Sequence, residues 1–128
     1  MQPITHRSEV DEGTDNDNVG LILKQDRSQL LLADFTDFDI FVYEKGESTP
    51  VYSATGQSKA GTNPAGGNIF QDTLQTAGYW GVDQVGYNFR HTFQASLVTL
   101  TAGKTHLIRH ESHWNTYRMI KALFIADV

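Results

Sequence analysis

Histidines are the residues of this chain whose type and spacing could most readily support chemistry. Four of its five histidines lie in the second half, at positions 91, 106, 110 and 113. His106 and His110 would share one face of a strand, because successive strand side chains point to opposite faces. A structural zinc site needs four ligands, and nothing in the sequence places Asp72 or Asp83 beside these histidines. We therefore expect packed or half-buried sheet histidines, with no metal centre and no cofactor.

The acidic and amide residues at positions 15–18 have the composition of the start of a calcium-binding loop. An EF-hand loop needs an oxygen ligand at its fifth position and a bidentate glutamate at its twelfth. This chain has Val19 and Asp26 at those positions. The spacing therefore disfavours an EF-hand and leaves a looser surface calcium site as the alternative.

Sequence motifs for covalent or phosphoryl chemistry are not found. The chain has no cysteine and no Gly-x-Ser-x-Gly elbow. Its two lysine-containing glycine loops, 56–59 and 103–105, lack the spacing of a phosphate-binding loop. We expect no catalytic residues. The alternative is a hydrolase, which would need a cleft where carboxylates or histidines converge.

Aromatic residues suggest a second alternative, a carbohydrate-binding module. Aromatic rings can stack on sugar rings, but they also supply large buried areas to a core. We favour core and hairpin packing, and exposure of both Trp80 and Trp114 would favour the sugar-binding alternative. The four candidate residues are Tyr79, Trp80, Tyr87 and Trp114.

The stretch GYNFRHTF shows the alternation that should position these side chains. Tyr87, Phe89 and Phe93 occupy odd positions with His91, and polar residues fill positions 88, 90, 92 and 94. A period of two predicts a half-buried strand with the aromatic side chains in the core and the polar set facing water.

The remaining sequence predicts an all-β chain. Short apolar or β-branched runs alternate with glycine- and proline-containing turns, which is typical of an antiparallel β-sandwich, immunoglobulin-like or jelly-roll-like, of about seven or eight strands. The last two strands should form a hairpin. In the final strand we expect Ile120 and Phe124 to face the core. Met119, Leu123 and Ile125 share the other face and form a candidate partner contact.

Residues 1–18 differ from the rest in being acidic and poor in apolar side chains. We predict an extended arm there and a sandwich domain over residues 19–128, with the arm as a second candidate contact. The arm acids are Glu9, Asp11, Glu12, Asp15 and Asp17. The net charge of −5 argues against nucleic-acid binding. The longest apolar run, 122–126, is too short to cross a membrane as a helix.

The order of segments resembles small immunoglobulin-like or related β-sandwich proteins of tailed bacteriophage particles. The similar segments are VGLILKQDRSQLLLADFTDFDIFVYEKGESTPVYSATG, DTLQTAGYWGVDQVGYNFRHTF and TAGKTHLIRHE, so the resemblance covers residues 19–128. It implies a virion protein without catalytic residues, assembled in the host cytoplasm. The expected role is a head decoration or cement protein that binds the major capsid protein as a homo-oligomer, for example a trimer. The alternative is a tail, neck or baseplate component.

Overall fold

The computed structural model describes residues 4–9, 15–24, 27–76, 86–96, 100–115 and 118–128. For residues 4–9, 16, 114–115 and 118–124 this description covers the backbone. The described residues form eight strands and one short 3-10 turn, Leu32–Asp34. The strands are β1 Ile4–Glu9, β2 Asn16–Gly20, β3 Asp37–Glu44, β4 Tyr52–Ser58, β5 Phe70–Gln75, β6 Tyr87–Phe93, β7 Thr105–Asn115 and β8 Arg118–Asp127.

These strands form two sheets, which confirms the predicted β-sandwich. One sheet has five strands in the order β1-β8-β7-β3-β4, and the other has three in the order β2-β6-β5. All pairs are antiparallel except β1 with β8, which is parallel. The orders β2-β6-β5 and β8-β7-β3-β4 correspond to strands B-E-D and G-F-C-C′ of an immunoglobulin-type sandwich.

The core lies between the sheets and follows the predicted alternation. Tyr87, Phe89 and Phe93 of β6 are buried, as expected. Phe89 and Phe93 belong to the same buried cluster as Phe38 and Ile108 of the five-stranded sheet. Phe70 links the layers, with its ring 5.1 Å from the rings of both Phe38 and Phe89. Edge-to-face contacts of this kind add to the stabilisation from burial.

The other side of β6 differs from the sequence prediction. Asn88 and Arg90 were expected to face water, but each is only 2% exposed. The segment after β2 turns back at Arg27, which has a positive φ of 69°, and covers Asn88. The Asn88 side chain donates to the carbonyls of Ile22 and Leu30 and accepts a bond from Ile22 N–H. The amide thus adds to the backbone bond from Leu30 N–H to Ile22 O and satisfies further polar groups of this buried segment.

The predicted arm is also arranged differently. The boundary expected after residue 18 falls inside β2, which pairs with β6. β1 pairs in parallel with β8, with Ile4 opposite Ala122. Both segments contain few apolar residues, and backbone pairing places them in the sheets. Asp17 of β2 adds side-chain contacts to Arg90 and Thr92.

Candidate interaction face

The outer face of the five-stranded sheet displays a row of polar and aromatic side chains on two central strands. β3 and β7 pair with Phe41 opposite Arg109 and Asp39 opposite Glu111. The alternate residues Ile40, Val42 and Ile108 are buried between the sheets, which directs the intervening residues outward. We call this surface the outer face; it comprises Asp37, Asp39, Phe41, Tyr43, Leu107, Arg109, Glu111 and His113.

Arg109 lies at the centre of the outer face. Its guanidinium carbon is 5.6 Å from the Phe41 ring centre and 5.2 Å from that of Tyr43. Nη2 donates to the Tyr43 hydroxyl at 2.9 Å, and Nε lies 3.0 Å from Glu111 Oε1. The arginine side chain is 36% exposed while the glutamate is 8% exposed. These contacts hold the guanidinium in one orientation, so a further contact to it would cost little side-chain entropy.

His113 lies beside two aspartates at one end of the outer face. Its Nδ1 lies 2.6 Å from Asp37 Oδ1, and its Nε2 lies 2.9 Å from Asp39 Oδ2. Each ring nitrogen therefore faces the carboxylate of a different aspartate of β3. The second oxygen of Asp39 accepts a bond from Gly56 N–H at 2.9 Å, which ties β4 to the same cluster.

The interior histidines have a different environment. The His110 ring centre lies 4.7 Å from that of Phe89 and 5.2 Å from that of His91. Burial lowers the pKa of His91 to about 4, although the nearby Asp17 carboxylate opposes this. Burial, and then the charge of His91, lowers the pKa of His110 well below its ordinary value. Both rings are therefore neutral at pH 7 and act as core packing groups.

His106 is the third inward histidine and lies on the same face of β7 as His110, as the spacing predicted. It is 1% exposed, and its Nε2 is 3.4 Å from the backbone nitrogen of Thr101. Burial lowers its pKa, while Glu44 and a backbone hydrogen bond at Lys104 act in the opposite direction.

Two acids assigned to the arm have partners within the chain. Asp17 Oδ2 lies 3.1 Å from Arg90 Nη2, and its Oδ1 accepts a bond from the Thr92 hydroxyl at 2.5 Å. Asp15 Oδ1 accepts a bond from Ala95 N–H at 2.9 Å. Asn63 then joins this region to the 61–69 loop by donating to Arg90 O and accepting from Thr92 N. These carboxylates contribute to the fold of the three-stranded sheet.

The structure places the other predicted contact residues as follows. Ile125 is half-buried on β8, opposite Leu107 of the outer face. The backbones of Leu123 and Met119 lie opposite those of Arg109 and His113. Glu9 ends β1 opposite Asp127. The predictions for Asp11, Glu12, Tyr79 and Trp80 lie outside the described residues. For six further predicted residues the description covers the backbone and not the side chain: Glu9, Trp114, Met119, Ile120, Leu123 and Phe124.

Sequence alternation and motif spacing did not predict a role for Arg109, Glu111, Phe41 or Tyr43. A signal for them was present: Phe41 and Tyr43 share the odd phase of β3 with two aspartates, which is unusual for a face that meets only water. Tyr87, which the sugar-binding alternative used, is buried in the core at 7% exposure. That ring is therefore not available as a stacking surface.

Comparisons with known proteins assign the chain to no family. No protein-family model, curated protein or solved structure matches the chain. In the described part of the chain, no group of three or more histidine or acidic side chains is arranged to hold a metal ion. Among those same residues there is no helix long and apolar enough to cross a membrane.

Proposed function

We propose that this chain is a non-enzymatic structural protein of a tailed phage particle that binds the major shell protein through its outer face. The resemblance of residues 19–128 to phage sandwich proteins suggests the setting. The feature that carries the binding role is Arg109, which is held between two aromatic rings and a carboxylate while it keeps 36% exposure. Arginine and aromatic residues are enriched at the energetic centres of protein interfaces.

The chemistry of the outer face indicates what the shell surface should offer. An arginine that has one carboxylate neighbour can still bind further acceptors, because a guanidinium has five N–H donors. We expect a shell carboxylate or a row of backbone carbonyls opposite Arg109, with an apolar side chain over Phe41. A protein that binds only the assembled shell stabilises it by mass action.

The proposal is tested by the copy number of the chain in purified particles, measured by quantitative mass spectrometry against the major shell protein. Symmetry links copy number to position: decoration of a head gives on the order of hundreds of copies, and a neck or tail ring gives about a dozen. Hundreds of copies are the expected result. A dozen copies would replace the head position with a tail or neck position, and absence from particles would overturn the proposal.

A further inference from the structure

The edges of the two sheets differ in how they are protected from pairing with other strands. An edge strand carries unpaired backbone groups, and proteins commonly protect such strands with charged side chains. The edge strands in the described part of the chain are β1 and β4 of one sheet and β2 and β5 of the other. Three of these strands contain charged residues, such as Arg7 in β1, Asp17 in β2 and Asp72 in β5. The fourth, β4, has the sequence YSATGQS and contains no charged residue.

The first half of β4 is a regular edge strand to which another strand could pair. Tyr52, Ser53 and Ala54 are in regular register with β3, and an irregularity follows where Gly56 N–H bonds Asp39. Tyr52 anchors the strand from the inner side, with its ring 5.7 Å from that of Phe93. Ser53 and Thr55 are exposed, and Val51, just before the strand, is 48% exposed.

We propose that β4 is a self-association edge, at which two copies of this chain pair β4 with β4 antiparallel across a two-fold axis. Such an axis places a strand against itself, so any charged residue there would lie near its own copy. An uncharged edge on a chain of net charge −5 avoids this repulsion where the backbones meet. The two five-stranded sheets would then form one continuous sheet, with the two Val51 side chains beside the contact.

The contact would be weak in free solution because the regular segment is short. Holding copies side by side on a common surface raises their effective concentration and makes a weak contact sufficient. Since β4 is at the sheet edge and the outer face is on the adjoining surface, self-association does not require binding to a shell. The two proposals can therefore fail independently.

Single cysteines provide a direct test, because the natural chain has none. Ser53→Cys and Thr55→Cys place a thiol on β4, and Thr73→Cys places a matched thiol at an exposed position of the β5 edge. Each purified full-length variant is treated with a mild oxidant and, separately, with a short bis-maleimide. We expect covalent dimers from at least one β4 variant and little from Thr73→Cys. Equal dimer yields at both edges, or no dimer from either β4 variant, would overturn the proposal.

A lysine on the edge gives an independent readout by sedimentation equilibrium at increasing protein concentration. Ser53→Lys should weaken dimerisation about tenfold or more, because two like charges are brought together across the axis. Thr73→Lys, which adds the same charge on the other edge, should leave the dimerisation constant unchanged. A wild-type chain that stays monomeric at the highest concentration, or equal weakening by both lysines, would contradict the proposal.

Discussion

The interior between the sheets and the outer face of the five-stranded sheet both contain histidine beside aromatic or acidic groups, yet they use it differently. His110 and His113 belong to the same strand, three residues apart, and point to opposite sides. The first is packed against Phe89 and His91 and is neutral, whereas the second is bracketed by Asp37 and Asp39. The difference shows that strand phase, rather than residue type, decides whether a histidine packs between the sheets or lies on the outer face.

The comparison predicts the largest effect for an interior aromatic residue. Phe89 is 0% exposed. Phe89→Ala should lower the free energy of unfolding by about 3–5 kcal/mol, because it removes buried surface and leaves a cavity. Urea denaturation followed by circular dichroism measures this. Thr73→Ala, at an exposed position of β5, is the control and should change stability by less than about 0.5 kcal/mol. Equal effects would show that the interior has been assigned wrongly.

The interior histidines predict acid sensitivity. Burial lowers the pKa of His91 from 6.5 to about 4, so between these values the unfolded chain binds a proton that the folded chain does not. Stability should be full above pH 6.5 and fall as the pH decreases towards 4, with His91 contributing up to about 3 kcal/mol. His110 extends the loss to lower pH.

Urea midpoints measured at several pH values test this prediction. His91→Phe keeps a ring in the core and removes the titrating group, so it should flatten the dependence between pH 6.5 and 4. A slope that His91→Phe leaves unchanged would assign the acid sensitivity to other groups.

A smaller effect is expected at the polar side of β6. Asp17→Ala removes the carboxylate beside Arg90, whose side chain is only 3% exposed. Because Asp17 itself is 35% exposed, the expected loss is about 2 kcal/mol, below that for a fully buried pair. Asp15→Ala, which removes one exposed hydrogen bond, should cost less than about 1 kcal/mol. Thermal unfolding of the two variants provides the comparison, and similar losses would argue against a special role for Asp17.

The outer face should show the smallest effect on stability. Arg109→Ala breaks the ion pair with Glu111, the hydrogen bond to the Tyr43 hydroxyl and two ring contacts. The expected cost is about 1 kcal/mol, because truncating the partly exposed arginine also opens the Glu111 carboxylate to water. Differential scanning calorimetry beside the wild-type chain measures it. A loss comparable with that of Phe89→Ala would show that Arg109 is part of the structural core.

Sequence alternation predicted the local features of this fold well. It identified the β6 strand, its buried aromatic face and the shared face of His106 and His110, because these depend on a period of two within one segment. It predicted that Asn88 and Arg90 face water. Both are buried, because segments distant in sequence cover them: the turn after β2 and the loop containing Asn63. Local pattern carries no information about such contacts.

The same limit explains the two regions that the sequence described differently. The pairing of β1 with β8 joins the two ends of the chain through backbone bonds, which leave no hydrophobic signature. The Arg109 cluster depends on the register between β3 and β7, which sets Phe41 opposite Arg109. Alternation alone gives the phase of each strand but not this register.

The most direct test of the account is a binding titration of the purified chain against particles that lack it. Arg109→Ala is compared with the wild-type chain and with Arg27→Gly, which removes an equal charge at an exposed position whose positive φ of 69° suits glycine. We predict that Arg109→Ala binds at least about tenfold more weakly, the size of an interface hot-spot effect, while Arg27→Gly binds like the wild type. Equal binding of all three proteins, each shown to be folded, would contradict the claim that the outer face is the contact surface.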